Sequence, residues 1–295
     1  MNAPQIIPGQ ARSCLLVDFS VSSYDGAIKD NRTQEDVATR ASASARATSV
    51  RKNLFAECKE LEAIKKFVAS VRTAKHYPAT MPWSDTGTRL LVAARMPQYV
   101  AMMGEAKETF FQLVDEFLVK YDSLIAAQAF TNGALFDRSE YLTREQVRRR
   151  FAWHFTLSPL PVSGDFRLDI ENETQRELVR HYEQAFQERV AAAVRDPWTR
   201  LHKVLARIST QLTPNEDGTR KKLYDSMLDN AQELIDTLAD FNITNDPNLE
   251  AARTALARSL VGVDIDELKK QPDLRATVKE QVDAIIKTYD WEDDE

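Results

Sequence analysis

Apolar residues recur every three to four positions along most of the chain, which is the period of an amphipathic helix. The pattern predicts helices within residues 37–75, over about 98–131, over 172–212 and over about 223–241. The stripes are wider than a two-stranded seam, which favours a bundle or a hairpin of long helices. Their apolar positions are Leu54, Cys58, Leu61, Ile64, Phe67, Val68 and Val71; Met103, Phe110, Phe111, Val114, Phe117, Leu118, Tyr121, Leu124 and Ile125; Leu178, Tyr182, Phe186, Val190, Val194, Trp198, Leu201, Leu205, Ile208 and Leu212; and Leu223, Met227, Ala231, Leu234, Leu238 and Phe241.

Three shorter segments are rich in β-branched and aromatic residues and predict strands. They cover residues 14–21, 151–157 and 166–170. Prolines and a glycine separate the last two, so we expect a β-hairpin over about 151–170. An isolated hairpin is only marginally stable in water, so it needs helices or the strand near residue 17 beside it.

Proline, glycine and capping residues predict where the elements end. Residues 76–97 hold three prolines and a glycine, which predicts an irregular loop. Asn132-Gly133 predicts the end of the long helix, and Thr143 with Gln146 has the pattern of a capping box. Asp196-Pro197 predicts a kink, or a restarted helix capped by Asp196, and Asp246-Pro247 predicts a helix start.

We therefore predict a mainly α protein with a long antiparallel helical hairpin or bundle, a small β element and a C-terminal helical cluster. Residues 1–97 would carry the first strand, a basic helix and the proline-rich loop. Residues 98–245 would form the long helical arm, with the hairpin inserted into it. Residues 246–295 would form the C-terminal cluster and an acidic tail, and all three segments would belong to one continuous fold.

The composition supports a helical, soluble chain. Of 295 residues, 43% are apolar and 28% are charged, as in globular proteins, and eight glycines are too few for the turns of an all-β fold. No apolar run reaches eighteen residues, which predicts no membrane span, and the first residues lack the pattern of a secretory signal. Two distant cysteines fit a reducing compartment. We expect a cytoplasmic location, which would be the host cytoplasm if a phage encodes the chain.

Charge is unevenly distributed along the chain, whose formal net charge is -6. Residues 38–76 hold nine Lys and Arg against three Glu, whereas residues 264–295 hold eleven Asp and Glu against five Lys and Arg. The two segments could be solvated faces, could pair with each other within or between subunits, or could contact separate partners.

The sequence lacks the residue patterns of most common catalytic and cofactor sites. The eight glycines are isolated, without the spacing of a nucleotide-binding loop, and the cysteines and histidines lack the spacing of a zinc site, so we expect no cofactor and no metal. Asp85-Thr86-Gly87 matches the tripeptide of aspartic proteases, which need two juxtaposed copies on strands. A single copy in a helical chain indicates a turn or a helix cap instead.

Several segments together resemble an uncharacterised family of helical proteins from tailed bacteriophages and proteobacteria. They are Pro82 to Leu91, Gly133 to Phe136, Phe151 to Pro161, Gly164 to Arg167, Arg195 to Leu201 and Leu238 to Pro247. Members are often encoded near MoxR-type AAA+ ATPases and von Willebrand A-type proteins. The resemblance therefore implies an adaptor or a substrate of such an ATPase.

Our leading hypothesis is a non-enzymatic phage or bacterial accessory protein that binds another protein, with an AAA+ ATPase as the implied partner, or assembles into a homo-oligomer. The candidate contact residues are Trp83, Asp85 and Arg89. Large aromatic residues dominate the energetics of interfaces, so Trp83 would be the anchor. The alternative role for Trp83 is a core side chain that covers the helix ends.

A nucleic-acid-binding protein that handles single strands is the alternative function. It would use the basic segments 40–75 and 144–150, where the cations could follow a phosphate backbone. The acidic chain, with a pI of about 5.5, argues against it. An enzyme is the third hypothesis and would need a cleft with several shifted carboxylates. The candidate cations are Arg51, Lys52, Lys65, Lys66, Arg148, Arg149 and Arg150.

Overall fold

Helices make up most of the structure, and short antiparallel strands accompany them. The computed structural model describes residues 13–160, 173–289 and 291. The prediction of a mainly helical fold with a small β element is confirmed. In chain order the elements are β1 Cys14–Ser22, β2 Ala27–Lys29, α1 Asn31–Arg40, β3 Arg51–Asn53, α2 Lys59–Val71, β4 Met81–Pro82, β5 Arg89–Val92, α3 Met96–Val119, α4 Tyr121–Asn132, α5 Arg144–Arg148, β6 Ala152–Pro159, α6 Glu173–Leu212, α7 Ser226–Phe241, α8 Pro247–Leu260, α9 Ile265–Lys270 and α10 Pro272–Thr288.

The chain divides into two compact units, each built from separate stretches of sequence. Unit 1 comprises residues 1–18, 79–97 and 156–295, and unit 2 comprises residues 19–78 and 98–155. Of the four boundaries between them, two fall inside β1 and β6, a third falls inside α3, and the fourth falls just before β4. The three consecutive segments expected from the sequence stay a prediction.

A four-stranded sheet has the strand order β4-β5-β1-β6. β5 pairs antiparallel with β1, from Cys14 opposite Val92 to Val17 opposite Arg89. The strands predicted near residue 17 and at 151–157 are thus confirmed as β1 and β6, members of one sheet. The second predicted strand, 166–170, lies outside the described residues, so the predicted hairpin stays a prediction.

The prediction of an irregular loop over residues 76–97 is wrong. Residues 81–82 and 89–92 form the antiparallel pair β4–β5, with Met81 opposite Leu90 and Pro82 opposite Arg89. Proline has no backbone donor, and β4 is an edge strand, where a missing donor costs no ladder hydrogen bond. The apolar run of β5 supplies the buried strand beside it.

The helix predicted within residues 37–75 is shorter than expected and begins at Lys59. Residues 51–53 instead form β3, which pairs antiparallel with β2. Before β3, the side chain of Asp30 accepts a hydrogen bond from the backbone N–H of Thr33 and caps α1. The apolar stripe marks burial correctly, since Leu54 is buried outside any helix.

The long helix predicted over 98–131 is present as α3 and α4, which are separated only at Lys120. The N–H of Leu124 still donates to the carbonyl of Lys120, so the helical hydrogen bonding continues across the break. Gly133 follows with a φ of +50°, a left-handed conformation that glycine adopts without strain, and ends α4. The capping box of Thr143 and Gln146 is confirmed at the start of α5.

The prediction that a helix restarts at Asp196 is wrong, because α6 continues from Glu173 to Leu212 with Pro197 inside it. The side chain of Asp196 does not cap a new helix and forms an ion pair with Arg200. The start at Asp246-Pro247 is confirmed, since Asp246 accepts from the N–H of Asn248 at the start of α8.

Aliphatic side chains of five helices form the main core of unit 1. α6 packs against α10, α7 and α8, and α8 packs against α7 and α10. Burying this apolar surface supplies the main driving force for folding. Its fully buried members include Leu201, Leu205, Ala231, Leu238, Ala252, Leu256, Leu268 and Val282.

Aromatic side chains dominate the core of unit 2. The ring of Phe55 lies 5.7 Å from Phe117, 5.5 Å from Tyr121 and 5.4 Å from Tyr141, between centroids. The pairs with Phe117 and Tyr141 are edge-to-face, an arrangement that stabilises beyond the buried area. Among the described residues no helix is both long and apolar enough to cross a membrane.

Candidate protein-interaction site

The turn between β4 and β5 carries the predicted contact residue Asp85. The N–H of Ser84 donates to the carbonyl of Thr88, and the N–H of Gly87 donates back to Ser84, which closes the turn. Gly87 has a φ of +99°, a conformation that favours glycine. Asp85 is exposed at the tip, as its predicted role in a turn requires.

Trp83, the predicted anchor, lies inside unit 1. Its side chain is only 5% exposed and belongs to a hydrophobic cluster with Met81, Leu90 and Val190. Its ring meets the ring of Phe186 edge-on at 5.5 Å. Burial favours the alternative role of a core side chain, and a contact with a partner stays an untested prediction.

Arg89, the third predicted contact residue, is half-buried and holds Thr80. Its Nε donates to Thr80 Oγ1 at 2.6 Å and its Nη2 donates to the Thr80 carbonyl at 2.9 Å. Arg200 of α6 donates to the same carbonyl at 2.6 Å. Two guanidinium groups therefore fix the backbone at the start of β4.

A buried carboxylate lies beside these arginines. Asp196 Oδ2 lies 2.8 Å from Arg200 Nε, and both side chains are largely buried. Burial raises the pKa of Asp196, although Arg200 and Arg89 oppose that shift, and burial lowers the pKa of Arg200. The guanidinium of Arg200 also lies over the ring of Phe241, 5.0 Å from its centroid.

Three of the segments that carry the family resemblance meet at this cluster. Arg89 comes from the first, Asp196 and Arg200 from the second, and Phe241 from the third. The cluster thus joins residues that are far apart in the sequence. Their contacts within unit 1 explain why these segments contain them.

The basic residues of the nucleic-acid hypothesis lie in unit 2, and most of them have acidic neighbours. Ion pairing lowers the net positive field available to a phosphate backbone. The pairs are Arg51 with Asp25 at 2.5 Å, Lys52 with Glu140, Lys66 with Glu62 at 3.7 Å, Arg148 with Asp115 at 2.7 Å and Arg149 with Glu145 at 2.6 Å.

Lys52 and Lys65 have structural contacts as well. The Lys52 side chain is 10% exposed, and its Nζ donates to the Leu135 carbonyl at 2.8 Å. Lys65 Nζ donates to the Asp25 carbonyl at 3.0 Å. Arg150 is exposed and lowers the pKa of Tyr24, while burial raises that pKa more strongly.

An exposed apolar surface at the end of α4 is the feature that sequence reasoning missed. We call it the α4 surface; Phe130 is 92% exposed and Leu135 is 54% exposed. On a helix, positions three and four apart are neighbours, so Phe130 lies beside two exposed alanines of the preceding turn. The members of the α4 surface are Ala126, Ala127, Phe130, Ala134 and Leu135.

The backbone under the α4 surface is held by hydrogen bonds within unit 2. Asn132 Nδ2 donates to the Leu54 carbonyl at 3.3 Å and to the hydroxyl of Tyr141 at 3.3 Å. The Tyr141 hydroxyl donates to the Leu54 carbonyl at 2.7 Å, and Lys52 holds the Leu135 carbonyl. A surface fixed in this way loses little conformational entropy when a partner binds.

Phe130 could have been found from the sequence by its position outside the stripe. Tyr121 and Ile125 continue the apolar repeat of α3, and the next buried position is Gln128. Phe130 lies two residues further along, on the solvent side. An exposed aromatic residue that adjoins other exposed apolar side chains indicates a candidate contact surface.

Thiol and metal chemistry find little support among the described residues. Burial raises the pKa values of both the Cys14 and the Cys58 thiols, which disfavours the reactive thiolate. Within residues 13–160, 173–289 and 291, no group of three or more His, Cys, Asp or Glu side chains is arranged to hold a metal ion.

Comparison of the chain with models of known families, with curated proteins and with solved structures gave no match. The resemblance to a phage and proteobacterial family therefore stays an expectation from the sequence segments named above.

Proposed function

We propose that this chain is a non-catalytic accessory protein that acts by binding another protein through the α4 surface. The observation that carries the proposal is Phe130, a large aromatic side chain that is 92% exposed on a helix. Burying one phenylalanine side chain in an interface is worth about 1.5–3 kcal/mol. Aromatic anchors of this kind supply much of the affinity of an interface.

The α4 surface has the features of a helix face that binds in a hydrophobic groove of a partner. Ala126, Ala127 and Phe130 follow helical spacing, and Leu135 extends the apolar area beyond the end of the helix. Helices recognised in grooves present anchors at such spacing. The alanines permit a close approach on either side of the phenylalanine. The partner is therefore expected to offer an apolar pocket for one aromatic ring.

An AAA+ ATPase is the partner that the family resemblance implies, and we carry it forward as part of the proposal. A hairpin or bundle of the long helices, the finer arrangement expected from the sequence, belongs to the same proposal. Trp83 contributes through the core of unit 1, whereas Asp85 is exposed and free to contact a partner from the turn between β4 and β5.

Nucleic-acid binding stays the second candidate, because Arg148 and Arg149 are exposed although each has an acidic neighbour. Phosphate contacts release counterions, so binding to single-stranded DNA would weaken steeply with salt. Retention of the chain by single-stranded DNA at low salt, lost in Arg148→Gln with Arg149→Gln, would favour this candidate over the first.

Site-specific photo-crosslinking tests the leading proposal. Benzoylphenylalanine replaces Phe130 in one version of the full chain and Tyr224, an exposed aromatic residue of unit 1, in the control. In cells that naturally produce the chain, we expect one discrete protein adduct from position 130 and none of that mass from position 224. Adding Leu135→Asp should remove the adduct. No adduct at position 130, or the same adducts at both positions, would contradict the proposal.

A further inference from the structure

Among the described residues, no carboxylate forms an ion pair with Arg275, a buried arginine at the start of α10. Arg275 is 6% exposed, and its Nη2 donates to the carbonyls of Lys221 at 2.9 Å and Gln211 at 3.5 Å. Its Nε is shielded from solvent and has no acceptor. A buried guanidinium normally has a counter-charge, because removing an unpaired charge from water is costly.

The surroundings of Arg275 add further positive charge. Burial and the neighbouring Arg220 both lower the pKa of Arg275. Arg220 Nη1 donates to the Lys270 carbonyl at 3.3 Å, and Lys221 Nζ donates to the Thr210 carbonyl at 2.9 Å. Arg220 is exposed, so the cluster reaches solvent.

The N-terminus of α10 points to the same type of ligand. The helix is 17 residues long and begins at Pro272, and the side chain of the preceding Gln271 makes no capping hydrogen bond. The first backbone N–H groups of a helix lack partners within the helix, and the helix dipole places partial positive charge there. Helix N-termini with these properties bind phosphate and similar anions.

We propose that this region is an oxyanion-binding site of the phosphate class, formed by Arg220 and Arg275 together with the N-terminal turn of α10. We call it the α10 anion site. Guanidinium groups bind phosphate oxygens through paired, charge-assisted hydrogen bonds. An anion here would provide the counter-charge that the described residues do not supply to Arg275.

A structural role accounts for part of this cluster, because Lys221 and Arg275 donate to carbonyls in the last turn of α6. Those bonds hold the cations in place in the absence of a ligand. Asp273, in the first turn of α10, opposes an anion at the same place. Removing the charge of Asp273 should therefore strengthen anion binding if the site exists. A cluster with only a structural role would bind no anion in either form.

The test measures binding of inorganic phosphate to the full chain by calorimetry and thermal unfolding, at an ionic strength held constant with chloride. Sulfate and acetate form parallel arms. We expect saturable phosphate binding by the unchanged chain and by the control Arg258→Gln, which alters an exposed arginine of α8. Arg220→Gln should weaken binding about tenfold or more, the effect of losing one charge-assisted hydrogen bond. Asp273→Asn should strengthen it.

Arg275→Lys retains the charge but not the fork of donors, and its binding is interpreted only if its unfolding temperature matches that of the unchanged chain. If Arg275→Lys fails to fold, the surface variant Arg220→Gln still decides the test. Absence of phosphate binding would overturn the proposal. Equal affinity in Arg220→Gln and Arg258→Gln, or acetate bound as tightly as phosphate, would overturn it as well.

Discussion

Arg200 of α6 donates a hydrogen bond from Nη2 to the backbone carbonyl of Thr80 at 2.6 Å, although 120 positions separate the two residues. Arg89 of β5, the strand paired with β4, donates to the same carbonyl. The start of β4 is thus fixed to α6 by a side chain that also pairs with the buried Asp196. This contact makes Arg200 a central residue of unit 1.

Replacing Arg200 with Met should destabilise the protein. The change leaves the buried carboxylate of Asp196 without its main partner, at a cost of about 2–4 kcal/mol for a pair that is not fully buried. Denaturant unfolding measures the loss. Arg258→Met, in exposed α8 surface, is the matched control and should change stability little. Equal stability of Arg200→Met and Arg258→Met would contradict this account of the cluster.

Trp83→Ala should reduce stability by about 3–5 kcal/mol, the range for deleting a large buried aromatic side chain. Trp83→Phe should cost less, because it keeps part of the packing against Phe186. Thermal unfolding compares both with Asp85→Ala in the exposed turn, which should unfold near the temperature of the unchanged chain. If Trp83→Ala unfolded like Asp85→Ala, the burial of Trp83 described above would be wrong.

Lys52→Met should be more destabilising than Lys66→Met. Lys52 is largely buried against Glu140 and holds the Leu135 carbonyl, whereas Lys66 forms an exposed ion pair with Glu62. Removing the partner of a buried charge costs about 2–3 kcal/mol, while exposed pairs contribute about 0–1 kcal/mol. Unfolding in urea measures the difference, and an equal effect of the two changes would contradict the structural role of Lys52.

Asp283 predicts a pH-dependent contribution to the packing of α10 on α6. Hydrogen bonds from Lys279 and from Ser209, the latter at 2.5 Å, lower the pKa of its carboxyl in the folded protein. A lowered folded-state pKa stabilises above the unfolded value of about 3.9, and the benefit disappears as the pH falls through the folded-state value.

Asp283→Asn should therefore cost about 1 kcal/mol near pH 7, a value reduced by the partial exposure of the pair. The difference between the variant and the unchanged chain should shrink as the pH falls below about 4. Glu280→Gln, at an exposed position of the same helix, is the control. A stability difference that stayed constant down to pH 2, measured by urea unfolding, would show that the charge of Asp283 does not contribute.

The repeat of apolar positions predicts most helices, because burial of one helix face imposes the spacing. It also marks Leu54 and Cys58 as buried, although both precede α2. Spacing reports which residues face the core, and it does not distinguish a helix from a turn that packs on the same core. Pro82 contributed to the wrong prediction of an irregular loop over residues 76–97. An edge strand tolerates a proline that a central strand would not.

The candidate site was harder to predict than the fold. Trp83 stood out in the sequence as a large aromatic residue among prolines, yet a position in the core depends on tertiary contacts with residues such as Phe186. Phe130 lies outside the apolar stripe, so the sequence indicates that it leaves the buried face, but the 92% exposure of its side chain is known only from the folded chain. Uncompensated charge at Arg275 is likewise a property of the folded chain, since acidic residues are frequent in the sequence around it.

The most direct measurement of the central claim is the affinity of the purified chain for the protein crosslinked at position 130, with Phe130 intact and with Phe130→Ala. The side chain is exposed and contributes little to the core, so the free energy of unfolding should be unchanged. The dissociation constant should rise about thirtyfold or more, as for loss of an interface anchor worth about 2 kcal/mol. Equal dissociation constants for the two proteins would contradict the assignment of the α4 surface as the binding site.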